Sequence, residues 1–130
     1  MRIAIPTDYP GGLEAKISNH FGECDVFTVV EIDPKQTDFK NTKFILIENR
    51  NHLNCGALLL RLRKAGTNMI IVKKIGSNAL EIIELEKIPI YAADGTVLQV
   101  LDKFRSNQLD QISKANICLG KEHEPPSSNS

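Results

Sequence analysis

The order of extended and helical segments along the chain limits its possible folds more than any other feature. Three β-branched, apolar segments come first, and helical and extended segments then alternate. The order β, β, β, α, β, α, β, α predicts a mixed α/β fold with helices on the faces of one sheet. The predicted strands are Arg2–Pro6, Val26–Ile32, Lys43–Glu48, Asn68–Lys73 and Ile88–Ala92, and the predicted helices are Ala57–Ala65, Ala79–Lys87 and Val97–Phe104.

The connections between these segments predict how the strands pair. Direct turns favour antiparallel neighbours among the first three strands, whereas right-handed crossovers through helices make the third, fourth and fifth strands parallel. A five-stranded mixed sheet in the order 3-2-1-4-5, with the second strand antiparallel to its neighbours, satisfies both conditions. The first strand then lies where the strand order reverses, and open sheets bind ligands beyond the carboxyl ends of their strands at that point.

Residues at the helix ends and along the helix faces support the three predicted helices. Gly66 is typical of the residue that stops a helix, and Ser77 and Thr96 are typical N-cap residues. Apolar residues at helical spacing predict one buried face on the first and on the last helix. These residues are Leu58, Leu59 and Leu62 in the first helix, and Val97, Val100, Leu101 and Phe104 in the last.

Length and charge exclude several classes of protein. A chain of 130 residues fits one domain, predicted over residues 1–120, and the polar residues 121–130 predict a disordered tail. The formal net charge of zero removes the main electrostatic argument for binding nucleic acid or an anionic membrane. No apolar run approaches the roughly 18 residues of a membrane span. We therefore expect a soluble, cytoplasmic protein, and its oligomeric state stays open.

Two pairs of potential metal ligands occur in the predicted loops. His20 and Cys24 follow the first strand, and His52 and Cys55 follow the third. Three cysteines without an export signal indicate reduced thiols, which can act as ligands. The predicted topology brings both loops to the same edge of the sheet. Gly22 beside the aromatic anchor Phe21 indicates either a positive φ or a close approach to a ligand.

Several separated motifs together resemble one protein family. The motifs are MRIAIPTD at residues 1–8, ISNHFG at 17–22, KIGSNA at 74–79 and IPIY at 88–91. In this combination they are similar to the dinitrogenase iron-molybdenum cofactor biosynthesis proteins, which include NifX, the C-terminal part of NifB, the core of NafY and the orange protein of sulfate reducers. The resemblance covers roughly residues 1–107. The loop at 51–56, often rich in His and Gly in relatives, here reads NHLNCG.

This resemblance implies a ribonuclease-H-like, three-layer α/β/α fold and a non-enzymatic role. That role is to bind or carry an iron-molybdenum or related metal-sulfur cluster, or its precursor, between donor and acceptor proteins. Such a cluster is a polyanion that needs nitrogen or sulfur ligands and hydrogen-bond donors. Lys73 or Lys74 could add positive charge. The predicted main ligands are His20 and Cys55, the further ligands are Cys24 and His52, and the other cluster-binding residues are Phe21, Gly22, Gly76, Ser77 and Asn78.

Other interpretations of the same residues remain open. His20 could be a hydrogen-bonded structural residue, Cys24 could be a small buried hydrophobe, and Cys118 is typical of packing. One alternative function is a mononuclear zinc site formed by the two His-Cys pairs. A second is a metal-dependent nuclease using Asp8, Glu31 and Asp94, which is disfavoured because two-metal chemistry needs closely grouped acids. A third is a protein-interaction module without a role for nitrogenase.

Overall fold

The computed structural model of the protein describes residues 1–49 and 54–113. Its strands form one mixed sheet in the order β3-β2-β1-β4-β5-β6. The order predicted for the first five strands is confirmed. The sixth strand was not predicted, because it has only three residues and two of them are polar and exposed. The strands are β1 Arg2–Thr7, β2 Val26–Glu31, β3 Lys43–Glu48, β4 Met69–Val72, β5 Ile90–Ala92 and β6 Asp110–Ile112.

Strand directions agree with the predicted connections. β1 is antiparallel to β2, and β2 is antiparallel to β3, so β3 runs in the same direction as β1. β1 is parallel to β4, and β4 is parallel to β5. The carboxyl ends of β1, β3, β4 and β5 therefore lie at one edge of the sheet, which we call the carboxyl edge. The strand order reverses at β1, as predicted.

Three helices follow β3, β4 and β5. They are α1 Cys55–Lys64, α2 Ser77–Leu85 and α3 Val97–Arg105. The N-cap Thr96 forms a capping box with Gln99, which confirms the predicted start of α3. Ser77 is not the N-cap that the sequence predicted. It is the first helical residue of α2, and Gly76 before it is an N-cap with no side-chain hydrogen bond.

The helices cover both faces of the sheet, which confirms the three-layer arrangement. On one face α1 and α2 bury Leu58, Leu62, Leu80 and Ile83 against strand residues that include Val29. On the other face α3 buries Val97, Val100 and Leu101 against a second set of strand residues. We call these the α1/α2 face and the α3 face. The narrower ribonuclease-H-like assignment stays a prediction.

Hydrogen bonds tie the loop between β1 and β2, residues 8–25, to the start of α3. The amide of Ile17 donates to the carbonyl of Gly95 at 2.9 Å, and the amide of Val97 donates to the carbonyl of Ala15 at 2.9 Å. A further bond at 2.8 Å joins the Ser18 amide to the carbonyl of Pro6, at the end of β1. The loop is thus held against the carboxyl edge.

The C-terminal boundary of the domain and the lack of membrane-spanning character were also predicted. The predicted domain end at residue 120 and the predicted tail over 121–130 lie outside the described residues. None of the helices formed by residues 1–49 and 54–113 has the length and apolar character needed to cross a membrane.

Replacement of Leu62 by Ala should destabilise the domain, because Leu62 on α1 is completely buried. Removal of a buried leucine side chain leaves a cavity and costs about 2–5 kcal/mol of unfolding free energy. Urea denaturation followed by circular dichroism measures this loss. Leu60→Ala is the matched control, since Leu60 lies on the same helix with 55% of its surface exposed, and it should change the stability much less. Equal losses for the two variants would contradict the described orientation of α1.

Candidate functional site

Three segments of the chain meet at the carboxyl edge on the α1/α2 face. Phe21 and Cys24, in the loop after β1, belong to the same hydrophobic cluster as Ile75, just before α2, and Ala79, in its first turn. Cys55, the first residue of α1, is partly buried against this cluster. The loop after β1 and the N-terminal ends of both helices thus contribute to one hydrophobic cluster.

Gly22 in the loop after β1 lies close to Cys55, which follows β3. A Cβ atom built on Gly22 would lie 3.8 Å from the Sγ atom of Cys55. Gly22 does not belong to the glycines with positive φ. The positive-φ interpretation of this glycine is therefore wrong, and the close approach is to the Cys55 thiol.

An aromatic pair holds the His-Phe-Gly segment in place. Phe21 is buried, and its ring packs edge-on against the ring of Phe27 in β2, with centroids 5.2 Å apart and an angle of 63° between the planes. Such edge-to-face packing of aromatic rings adds to the gain from burial. His20, which precedes this anchor, is half-buried. Phe21 therefore fixes the backbone from which the imidazole projects.

Asn49 is a residue of this site that the sequence analysis did not identify. It follows β3, is buried, and donates hydrogen bonds of 3.0 Å from Nδ2 to the carbonyl oxygens of Gly22 and Cys24. Its Oδ1 atom has no hydrogen-bond partner among the described residues. Asn49 clamps the end of the loop onto β3. Nothing in the local sequence distinguishes it, because its partners are backbone atoms 25 and 27 positions away.

The environment of Cys24 suits a packing role. Its side chain is 1% exposed and belongs to the hydrophobic core. Burial raises the pKa of the Cys24 thiol to about 12, although hydrogen bonds from its surroundings oppose this shift. Because the thiolate is the form that binds metals, a core thiol of this kind is a poor ligand. Its burial favours the interpretation of Cys24 as a small hydrophobic residue.

Cys55 lies in a different environment. It is partly exposed at the first position of α1, beside the N-cap Asn54, whose side chain accepts a hydrogen bond from the Ala57 amide at 2.8 Å. The N-terminal end of a helix by itself favours the thiolate form of a cysteine. The structure shows a net shift in the other direction, since partial burial raises the pKa of Cys55 more than its backbone hydrogen bond lowers it.

The remaining predicted residues occupy different positions around this edge. Ser77 and Asn78 are exposed in the first turn of α2, and Gly76 caps that helix. Lys73 lies on the α3 face, where its Nζ atom is 3.6 Å from Oδ2 of Asp94, and Lys74 is exposed. His52 lies outside the described residues. Because Cys55 lies on the α1/α2 face and Lys73 on the α3 face, Lys73 does not face Cys55.

The described residues do not form a ready zinc or two-metal site. Within residues 1–49 and 54–113, no three His, Cys, Asp or Glu side chains lie close enough together to hold one metal ion. The nuclease interpretation is wrong in its geometry. Asp8 and Asp94 line one cleft, but Glu31 pairs with Arg2 at the opposite end of β1 and β2, so the three carboxylates cannot meet.

Fold and site together define a small, open α/β domain whose loops bring a thiol and the His-Phe-Gly segment to the reversal point of the sheet. The family model described as dinitrogenase iron-molybdenum cofactor matches residues 1–107. The chain belongs to this family.

Individual relatives are consistent with this membership. The uncharacterised protein MJ0580 of Methanocaldococcus jannaschii is 34% identical over 115 residues, which cover 86% of this chain and 92% of MJ0580. The crystal structure of MJ0327 from the same organism is similar with a TM-score of 0.65 and 32% identity, covering 87% of this chain and 95% of that one. The orange protein from Desulfovibrio gigas has the same fold, with a TM-score of 0.68, 24% identity, and coverage of 85% of this chain and 92% of its own.

The two described cysteines should differ strongly in their reaction with iodoacetamide. At pH 8 a thiol with a pKa of about 12 is ionised in only about one molecule in 10⁴, so Cys24 should stay unmodified in the folded protein. Cys55 is partly exposed and should react. Peptide mass spectrometry on a Cys118→Ser background measures both rates, and denaturation should make them similar. Comparable labelling of Cys24 in the folded protein would contradict its described burial.

Proposed function

We propose that this protein is a non-enzymatic carrier of a metal-sulfur cluster. The cargo is an iron-molybdenum or related cluster, or a precursor of one, which a donor protein delivers and an acceptor protein removes. His20 and Cys55 are the proposed main ligands. Membership of the dinitrogenase iron-molybdenum cofactor family supports this class of cargo. The same membership also supports a role in assembling the cofactor.

The observation that carries the proposal is the contact between the His-Phe-Gly segment and the start of α1. A Cβ atom built on Gly22 would lie 3.8 Å from Sγ of Cys55. The backbone two residues after His20 is therefore next to a partly exposed thiol. Because Gly22 has no side chain, no Cβ atom contacts the sulfur atom from that side. An imidazole and a thiol are the side chains that iron-sulfur and molybdenum-sulfur species prefer as ligands.

The N-terminal end of α2 supplies the second chemical requirement of an anionic cluster. The first amides of a helix have no partners within the helix and carry a positive partial charge. In α2 the N-cap is a glycine, so no side chain satisfies these amides from the cap position. Bridging sulfides of a bound cluster could accept hydrogen bonds there. Gly76, Ser77 and Asn78 are the proposed residues of this contact.

A carrier must also release its cargo, and two main protein ligands suit this requirement. Resident iron-sulfur clusters are usually held by four protein ligands. One ligand in the loop after β1 and one at the start of α1 would leave other metal positions open to a donor or acceptor protein. Cys24 is the weaker candidate for a third ligand because of its burial, and His52 stays a predicted ligand.

Cluster binding can be tested with a molybdenum-copper sulfide species. The full chain is mixed anaerobically with tetrathiomolybdate and Cu(I), and a new charge-transfer absorption that co-elutes with the protein is expected. His20→Ala together with Cys55→Ala should weaken binding by about 100-fold, because each lost ligand costs roughly tenfold or more. Cys118→Ala with His123→Ala is the matched control, since it removes the same two side-chain types beyond the residues that the family model matches.

Equal binding by the parent chain and the His20/Cys55 variant would contradict the proposed ligands. Loss of binding in the control pair alone would move the site to the C-terminal part of the chain. Stoichiometric zinc that survives dialysis of the purified protein would instead favour a mononuclear zinc site. His52→Ala measures the contribution of the fourth predicted ligand by the same absorption.

The affinity for the cluster should rise with pH. The raised pKa of Cys55 keeps its thiol protonated near neutral pH, and a metal must displace that proton on binding. Below the pKa, release of one proton strengthens apparent binding by up to about tenfold for each pH unit. Titrations at pH 6, 7 and 8 measure this slope for the parent chain. In Cys55→Ala the slope should fall, and an unchanged slope would exclude Cys55 as the titrating ligand.

A further inference from the structure

A second cleft opens at the carboxyl edge, on the α3 face of the sheet. It has a volume of about 550 Å³ and lies between the loops that follow β1, β4 and β5. Its charged lining residues are Lys16, Lys73, Lys103, Asp8 and Asp94. We propose that this cleft binds a small, multiply charged oxyanion, with phosphate or carboxylate groups that Lys73 and Lys103 hold.

The charge of the cleft favours an anion. Three lysines and two aspartates line the cleft, which leaves an excess of one positive charge in a chain whose formal net charge is zero. The lysines come from three separate segments: Lys16 from the loop after β1, Lys73 from the loop after β4, and Lys103 from α3. Convergence of like charges from distant parts of a chain is unfavourable unless a counter-charge is present.

Asp94 supplies only part of that counter-charge. Its Oδ2 atom is 3.6 Å from Nζ of Lys73, and its carbonyl oxygen accepts a hydrogen bond of 3.3 Å from Nζ of Lys103. Both distances exceed the 2.7–2.9 Å of a well-formed charge-assisted hydrogen bond. The Asp94 side chain is also 67% exposed, and such pairs are weak in water. Each ammonium group has three donors, so both lysines can bind a further acceptor.

The frame of the cleft is built by backbone hydrogen bonds. The Ile17 amide donates to the carbonyl of Gly95 at 2.9 Å, which joins the loop after β1 to the loop after β5. Gly95 itself donates from its amide to Oδ1 of Asp94 at 2.7 Å and has a φ of +118°. The ligand therefore meets fixed loops and flexible lysine side chains. Asn19 also lines the cleft.

The size and position of the cleft agree with a small ligand. Pockets for small molecules in proteins are typically about 300–1,000 Å³, and the cleft lies within this range. It also lies beside β1, at the reversal of strand order where open sheets bind ligands. Asn19 in this cleft directly precedes His20 of the candidate cluster site. The two sites lie on opposite faces and share one loop, and this proposal does not depend on cluster binding.

Isothermal titration calorimetry of the full chain tests the proposal without any metal. The two probes are pyrophosphate and citrate, each compared with sodium chloride at the same ionic strength. We expect dissociation constants at or below about 1 mM for at least one probe, with weaker binding at higher salt because exposed charges are screened. Tighter binding of pyrophosphate identifies a phosphate ligand, and tighter binding of citrate identifies a carboxylate ligand.

Two sets of variants distinguish a built site from general charge. Lys73→Gln with Lys103→Gln should weaken binding about tenfold or more, whereas Lys40→Gln with Lys64→Gln should not change it. Asp94→Asn keeps the Oδ1 acceptor for Gly95 and removes the competing charge, so it should strengthen binding about threefold. No binding beyond the chloride control, or equal binding by the Lys73/Lys103 variant, would overturn the proposal. Weaker binding by Asp94→Asn would also overturn it.

Discussion

Attachment of the loop between β1 and β2 to both faces of the sheet is the constraint on which the candidate sites depend. Phe21 packs into the core of the α1/α2 face, with its ring against Phe27, and Ile17 packs into the core of the α3 face. The amide of Ile17 donates to the carbonyl of Gly95 and the amide of Ser18 to the carbonyl of Pro6, which holds the loop at the carboxyl edge. Because the loop crosses the carboxyl edge, consecutive residues serve different faces. Asn19 lines the cleft on the α3 face, while the segment that begins at His20 leads to Cys55.

The same edge provides two kinds of chemistry because the two faces differ in their helices. On the α1/α2 face, two helices begin at the edge. The first residue of α1 is the partly exposed Cys55, which packs against the cluster that contains Phe21. On the α3 face, charged side chains surround an open cleft, and Lys103 reaches it from the side of α3. A polyanionic cluster and a small oxyanion would therefore meet different donors. The proposed functions share a loop, but they use separate side chains.

Most of the fold could be predicted from the sequence because its signals are local. β-branched runs, the Thr96 capping box and the leucines of α1 each depend on residues within one or two turns of chain. Chirality and connection length then determine how the first five strands pair. The errors occurred where local signals are weak. Ser77 has N-cap chemistry but lies inside α2, and β6 has three residues held by pairing with the distant strand β5.

For the functional site, the sequence by itself determined which residue types are available and which loops carry them. It placed two His-Cys pairs after β1 and β3, and the resemblance of its motifs to one family is confirmed by the match over residues 1–107. Only the tertiary structure decided how these cysteines differ. Cys24 is in the core and Cys55 at a helix start beside Gly22, a difference that arises from long-range packing.

The hydrogen bonds of Asn49 to the loop after β1 and the convergence of three lysines likewise join residues far apart in the chain. Desolvation and charge depend on all neighbours in space, and one stretch of sequence contains few of them.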